Sequence, residues 1–221
     1  MTVTKNFLRR YTNLPVVVRM LKTGKITFLD PATWDDKNDS YFMELYKDAR
    51  RLRTLLALCF SQETETYHHW RVFADGPSGV CISFKKQELI KAVQRHRGVT
   101  VREVTYLRLN DLETRTRKID NLPFLKRAPF EAEREFRFIF TSRRNEYESL
   151  DIDIPLTCID RIYLSPWMPA PLADSVKKSS TTSPAPNNSA SPAPPSYRTT
   201  PGPAMEGRSW EGRVNNRPRV E

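Results

Sequence analysis

The chain has 221 residues, a net charge of +10 and only three cysteines, Cys59, Cys81 and Cys158. Its length suggests one folded domain with an appendage, and no run of residues is apolar enough for a signal peptide or a membrane span. The cysteines lie in apolar, strand-like runs without metal-ligand spacing, so we expect a cytoplasmic protein without a structural metal site.

The C-terminal quarter differs in composition from the rest of the chain. Nine of the 17 prolines follow residue 170, among many Ser, Thr and Asn residues, and such a segment has too little apolar surface to offset the entropy lost on folding. We predict a globular domain over residues 1–169 and a disordered tail over 170–221.

Positive charge is present in both parts of the chain. Residues 171–221 hold seven basic and four acidic residues, so the remainder carries +7. A positive field favours nucleotides, nucleic acids or acidic proteins as partners. Because the basic residues are scattered rather than clustered, a basic protein without such a partner fits equally well.

Strand and helix patterns alternate in the first half. Asn13 is a favoured N-cap and Gly24 a favoured C-cap, so they bound a predicted helix. The nearly all-apolar run 55–62 is typical of a central strand buried on both faces. We predict strands over 7–12, 25–30, 55–62 and 79–84, and helices over 14–24, 40–53, 64–74 and 85–97.

Strand patterns dominate the second half, over 99–108, 135–142, 148–155 and 158–166, with a polar, helix-like stretch before residue 121. The short polar segment between 135–142 and 148–155 predicts a hairpin. Early alternation followed by clustered strands favours an α+β fold. We expect a single domain with a mixed, largely antiparallel sheet flanked by helices.

Residues 130–137 read FEAEREFR, with Glu131, Glu133, Glu135 and Arg137 at alternate positions. On a strand these four side chains share one face. Neighbouring carboxylates repel and raise the pKa of at least one acid, while Arg137 can hold one by paired hydrogen bonds. We predict a catalytic site of Glu133, Glu135 and Arg137; a solvated edge strand with an ordinary salt bridge is the alternative.

Other candidates lie earlier in the chain. His69 is the histidine of the pair at 68 and 69 that we expect nearer a site, with Trp70 beside it filling core. Arg9 and Arg10 alternate across the first strand, so one of them faces inward, where an arginine suits phosphate binding; a basic strand end without a ligand is the alternative. The loop TWDDKND (33–39) either binds Mg²⁺ or a sugar hydroxyl, or only satisfies its own backbone.

Several motifs together resemble the bacterial family known as domain of unknown function 2971. They are FLRRY, ITFLDPATWDDKND, LCFSQ, HHWRVFADGPSGVCISF, VTY, K-x-x-x-F-x-x-E-x-E-x-R and IDRIYLSP, and they cover about residues 7–166. The resemblance implies a bacterial protein without an established activity. The positions it marks include Cys59, Ser61, Trp70, Gly79, Cys81, Phe84, Tyr106, Lys126, Glu133, Glu135 and Arg137.

The chain departs from that family at three places. Phe73 stands where a tyrosine is usual, Phe130 replaces a tryptophan, and Asp35-Asp36-Lys37 replaces asparagine-aspartate-proline. The first change removes any role of a hydroxyl group at that position, and the third casts doubt on a shared loop geometry.

The chain also resembles ADP-ribosyltransferases, in the order of RRYTNLPVVVRMLKTG (9–24) and the later Glu133-Arg134-Glu135. This resemblance implies NAD as a substrate. Glu135 would steady the positive charge that develops on ribose as nicotinamide leaves, Glu133 would orient the acceptor, and Arg10 would hold the pyrophosphate. Ser61 corresponds to the middle motif of those enzymes.

We therefore expect an intracellular enzyme that acts on a nucleotide or nucleic acid. NAD-dependent ADP-ribosyl transfer in a toxin or defence setting is its most concrete form. The alternative is a non-catalytic module that binds nucleic acid or an acidic partner. Candidate substrate-binding residues are Arg10, Ser61, His69, Trp70 and Lys126.

Overall fold

The computed structural model describes residues 6–34, 36–74, 76–108 and 118–181. This part of the chain forms one α+β domain. Its strands are β1 (Phe7–Asn13), β2 (Lys25–Leu29), β3 (Thr54–Ser61), β4 (Gly79–Lys85), β5 (Val99–Glu103), β6 (Thr105–Leu107), β7 (Leu125–Arg127), β8 (Glu135–Ser142), β9 (Ser149–Asp153) and β10 (Ile159–Leu164). Its helices are α1 (Leu14–Thr23), α2 (Lys37–Ala49), α3 (Tyr67–Phe73), α4 (Lys86–Val93) and α5 (Ala170–Thr181).

Eight strands form one sheet in which all pairings are antiparallel. β6 and β7 form a separate parallel pair, so the prediction of a mixed, largely antiparallel sheet is confirmed. β8 pairs with β3 along its whole length. β1 and β2 therefore share the other edge of β3, where β1 meets Ser61 and β2 meets Ala57.

The predicted hairpin of β8 and β9 is wrong. β9 pairs with β2 over its full length, from Lys25 opposite Asp153 to Leu29 opposite Ser149. Both edges of β8 are occupied by β3 and β5. A turn signal reports only that the chain reverses, and it cannot show that distant strands already fill the neighbouring edges.

The ends of α1 follow from single side chains. The Asn13 carboxamide oxygen accepts a hydrogen bond from the Val16 N–H at 3.1 Å, as an N-cap does. Gly24 adopts the left-handed conformation, with φ of 65°, and its N–H bonds the Met20 carbonyl. The predicted start and end of this helix are therefore confirmed.

α2 begins at Lys37, three residues before its predicted start. Its N-cap is Asp36, whose carboxylate accepts a hydrogen bond from the Asn38 N–H at 3.0 Å. Asp39 consequently lies in the first helical turn, which corrects its placement on a loop. Asp35 lies outside the described residues.

The two faces of the sheet are packed differently. One face carries the main apolar core, which includes Leu58, Phe60, Phe136, Phe138 and the inner residues of α1 and α4. The other face is apolar under α2, where Leu55, Ala57 and Ile139 pack with Met43. Farther along β3 and β8 this second face becomes polar, because Cys59, Ser61, Glu135 and Arg137 occupy it.

The region predicted as a tail begins with α5. The carbonyl of Pro169 accepts hydrogen bonds from the N–H groups of Leu172 and Ala173, and Pro171 is compatible with a first helical turn. Residues 170–181 are therefore helical, and residues 182–221 of the predicted tail lie outside the described residues. Within the described ranges, no helix is long and apolar enough to cross a membrane.

Candidate functional site

A cleft of about 760 Å³ opens on the polar side of the sheet, near the point where β1 and β2 separate along β3. Its volume falls within the range of small-molecule sites. The walls come from β1, β3, residues 33–39 and the segment that leads into β8. Five predicted site residues line it: Arg10, Ser61, Lys126, Glu133 and Glu135.

The segment that carries the glutamates is not a continuous strand. Residues Ala128–Glu133 form a 3₁₀ segment, Arg134 is left-handed with φ of 44°, and β8 begins at Glu135. The prediction that Glu131 shares a face with the other acids is therefore wrong, and Glu131 is exposed. The left-handed residue between them lets both Glu133 and Glu135 turn into the protein.

Arg137 is completely buried and all five of its N–H groups are used. It donates to both oxygens of Glu135 at 2.7 and 2.8 Å and to both oxygens of Asp39 at 2.9 and 2.8 Å. Its remaining N–H bonds the Pro123 carbonyl at 2.8 Å. No donor is left for a substrate, so Arg137 positions carboxylates and does not itself line the cleft.

Lys126 completes what we call the acid cluster, formed by Asp39, Lys126, Glu133, Glu135 and Arg137. Its ammonium group lies 2.6 Å from Glu133 Oε2, 3.3 Å from Glu135 Oε2 and 3.7 Å from Asp39 Oδ2. Three carboxylates thus face two cations. Within the described residues, no group of three or more possible ligands is arranged to hold a metal ion.

The two glutamates of the cluster differ in how they are held. Both oxygens of Glu135 are bonded by Arg137. Glu133 uses only Oε2, in its bond to Lys126, and no donor among the described residues bonds its Oε1. Because Glu133 lines the cleft, this second oxygen is the carboxylate atom most available to a ligand.

Their pKa values move in opposite directions. Burial alone would raise the pKa of Glu135, but the charge and hydrogen bonds of Arg137, together with Lys126, lower it to about 2. Burial raises the pKa of Glu133 above its ordinary value, although Lys126 opposes the shift. Glu135 is therefore a permanent anion at neutral pH, whereas Glu133 accepts a proton more readily.

Ser61 bonds the backbone of Glu133, and His69 in turn contacts Ser61. The Ser61 hydroxyl donates to the Glu133 carbonyl at 2.8 Å and accepts from the Glu63 N–H at 3.0 Å. His69 Nε2 lies 3.2 Å from the same hydroxyl, and Thr66 Oγ1 lies 2.6 Å from Nδ1. Since the Ser61 proton is directed at a carbonyl, this arrangement holds Nε2–H toward Ser61.

His69 is thus a positioning residue and does not line the cleft. Burial lowers the pKa of His69, so the ring is neutral at neutral pH. Trp70 is also buried, and its Nε1–H donates to Glu65 at 2.6 Å. The structure therefore places these two predicted binding residues behind the cleft wall, where they hold α3 against β1 and β3.

Arg10 is a second shielded arginine, and unlike Arg137 it lines the cleft. Its guanidinium has no hydrogen bond or ion pair with any described residue. Burial lowers the pKa of Arg10 to about 10, so it stays charged at neutral pH. A shielded cation without a protein partner is unfavourable until an anion binds it.

Sequence reasoning missed several cleft residues. Arg9 lines the cleft beside Arg10 and donates to the Glu63 carbonyl at 2.8 Å. Trp34 covers Arg137, with its ring centroid 4.8 Å from the guanidinium carbon, and Phe130 lies 5.0 Å from the Lys126 ammonium. No spacing in the sequence connects these aromatic residues to the acids, because their contacts form only in the folded chain.

Cys59 also faces the cleft, next to Arg137 in the register of β3 and β8. Burial, reinforced by the charge of Glu135, raises the pKa of the Cys59 thiol well above its ordinary value. The thiolate is the reactive form of cysteine, so Cys59 is not a suitable nucleophile here.

Comparisons with protein family models, with curated proteins and with solved structures found no match to this chain. The resemblances to domain of unknown function 2971 and to ADP-ribosyltransferases stay predictions. The functional argument therefore rests on the geometry of the cleft.

Proposed function

We propose that the cleft binds a nucleotide and that the chain is an enzyme acting on it, with NAD as the most concrete substrate. The observation that carries the proposal is the pairing, in one cleft, of an unpartnered Arg10 with the differently held Glu133 and Glu135. A guanidinium is suited to phosphate, and a fixed carboxylate is suited to a developing positive charge.

The dimensions of the site support a nucleotide. Arg9, Ser61 and Glu135 lie in one row across β1, β3 and β8. Adjacent strands are about 4.8 Å apart, so this row spans about 10 Å. A sugar bound near Glu135 can therefore place its phosphate groups at β1, and the aromatic side chains of Trp34 and Phe130 offer surfaces for a base.

The proposed reaction follows from the two carboxylates. The bond between ribose and nicotinamide breaks, its electron pair goes to the nicotinamide nitrogen, and the ribose becomes positively charged. Glu135, an anion at neutral pH, stabilises that charge. An acceptor nucleophile or water then bonds to the ribose carbon, and its proton passes to Glu133 Oε1.

The test is release of nicotinamide from NAD by the purified protein and three variants. We expect Glu135→Gln to lower the rate about a hundredfold or more, by loss of charge stabilisation. Glu133→Gln should slow transfer to the acceptor. Glu131→Gln, an exposed glutamate of the same segment, is the matched control and should behave as the wild type.

A Glu135→Gln protein that stays folded and keeps full activity would refute the catalytic assignment. If the wild-type protein neither consumes NAD nor gains thermal stability from it, NAD is not the substrate. Thermal unfolding of every variant separates a loss of chemistry from a loss of fold.

A non-catalytic module that binds nucleic acid is the second candidate, favoured by the charge of +10. Binding that depends on phosphate contacts weakens steeply with salt. This function predicts such a salt dependence and little effect of Glu135→Gln on binding, because the acid cluster would have only a structural role.

A further inference from the structure

A group of aromatic and cationic side chains lies outside the cleft, where the outer face of α3 meets the turn that follows β10. Tyr67 and Trp167 form an edge-to-face pair, with ring centroids 5.6 Å apart and planes at 85°. The guanidinium carbon of Arg71 lies 5.4 Å from the Trp167 centroid and 6.0 Å from the Tyr67 centroid. We call Tyr67, Arg71 and Trp167 the α3 platform.

Buried side chains and backbone hydrogen bonds hold the α3 platform in place. His69 and Trp70 anchor the inner side of α3 in the protein interior. The N–H of Trp167 donates to the Ser165 hydroxyl at 3.2 Å, and the N–H of Ser165 donates to the Gly79 carbonyl at 2.9 Å. A ligand that binds to rings already held in place loses less conformational entropy than one that must order them.

The platform is nevertheless open to solvent. Tyr67 is 71% exposed, Arg71 is also exposed and Trp167 is half-buried, and the three side chains contact one another. Val72 and Phe73 of the same helix are also exposed and reach the cleft wall. Single exposed aromatic residues are common, whereas here an exposed ring, a second ring and a guanidinium are held together.

The chemistry of this surface selects its partner. We propose that the α3 platform binds an unpaired base and a neighbouring phosphate of a single-stranded nucleic acid. Aromatic rings stack with the faces of bases, and arginine contributes both cation–π contact and phosphate binding. α3 itself contains no carboxylate, and the exposed Glu65 before it is bonded to Trp70, so Arg71 supplies the charge that meets a phosphate.

Two competing partners fit less well. A duplex hides the faces of its bases, so it offers nothing for the exposed ring of Tyr67 to stack on. An acidic peptide offers charge to Arg71 but no aromatic face to match the pair of rings. The proposal concerns the α3 platform alone and does not require that NAD be cleaved in the cleft.

The test measures fluorescence anisotropy of a labelled single-stranded oligonucleotide with full-length protein at low salt. We expect Tyr67→Ala to weaken binding about tenfold or more, by loss of one stacked base. Tyr67→Phe should bind as the wild type. Tyr41→Ala is the matched control, since Tyr41 is a 56% exposed tyrosine on α2.

Arg71→Gln should make the slope of log affinity against log salt concentration shallower by about 1, which corresponds to the loss of one phosphate contact. Nicotinamide release by Tyr67→Ala, without nucleic acid, should equal that of the wild type, which separates this proposal from the function proposed for the cleft.

Four results would overturn the proposal. The first is wild-type affinity in Tyr67→Ala, and the second is equal binding of a duplex of the same sequence. The third is competition by polyglutamate as effective as competition by the unlabelled oligonucleotide, which would indicate an acidic protein partner instead. Absence of binding at low salt would overturn it as well.

Discussion

The two faces of β3 and β8 are similarly buried but are stabilised in different ways. On one face, Phe60, Phe136 and Phe138 pack among other apolar side chains. On the other, Glu135 and Arg137 are buried as an ion pair. Close packing tolerates changes that conserve volume, whereas buried charge tolerates no change that leaves a partner unneutralised.

The largest effect on stability should come from replacing Arg137 on the polar face of the sheet. Arg137→Met leaves Asp39 and Glu135 buried with only Lys126 nearby, so we expect the free energy of unfolding to fall by about 4 kcal/mol. Phe138→Leu, on the apolar face of the same strand, should cost only about 1 kcal/mol. Urea denaturation measures both, and similar losses in the two variants would contradict the comparison.

A smaller effect, with a distinct pH dependence, should come from Glu135. Glu135→Gln should lower stability at pH 7 by about 3 kcal/mol, since one half of a buried ion pair is lost. The wild-type pKa of about 2 lies below the ordinary value for an unfolded chain. The stabilisation is therefore complete above about pH 4.3 and is lost as the pH falls toward 2.

Denaturation of the wild type and of Glu135→Gln at pH 7 and pH 3 checks this expectation. The difference between the two proteins should shrink at pH 3, because Glu135 is then largely protonated in the unfolded chain but still ionised in the folded wild type, so unfolding of the wild type takes up a proton. A difference that stays constant between these pH values would show that Glu135 is not stabilised as an anion.

The smallest effect on stability should come from replacing Glu133, which lies two residues before Glu135. Its raised pKa means that the ionised form is disfavoured in the folded state, so its contribution has the opposite sign to that of Glu135. Glu133→Gln leaves two carboxylates facing two cations, and we expect a change within about 1 kcal/mol at pH 7. The Glu131→Gln control should show no change, and a large loss in Glu133→Gln would mean that its bond to Lys126 is structural.

Local signals predicted much of the fold. Asn13 and Gly24 place the ends of α1 because capping depends on adjacent residues. The apolar run of β3 identifies a central strand because both of its faces are covered. The pairing of β9 with β2 could not be predicted, since it depends on which strand edges remain free after the rest of the sheet has formed.

The candidate site was predictable in its acids but not in their environment. Glu133 and Glu135 stand out in the sequence as neighbouring carboxylates. The role of Arg137 depends on Asp39, which is 98 residues away. The polar composition of residues 33–39 predicts a loop there, whereas in the structure Asp36 caps a helix that includes Asp39. The left-handed Arg134 was equally hidden, because arginine has no preference for that conformation.

In the proposed function, Arg10, which has no partner among the described residues, and the second oxygen of Glu133 make the cleft a nucleotide site. The most direct test is the thermal stability of wild type, Arg10→Ala and the exposed-arginine control Arg97→Ala, each with and without NAD. Saturating NAD should stabilise the wild type and the control, by about 2.7 kcal/mol at a hundred times Kd.

Arg10→Ala should lose this stabilisation. Without NAD it should unfold at the same temperature as the wild type or higher, because it removes a cation that has no partner among the described residues. A shift by NAD as large in Arg10→Ala as in the wild type, or no shift in any of the three proteins, would contradict the account.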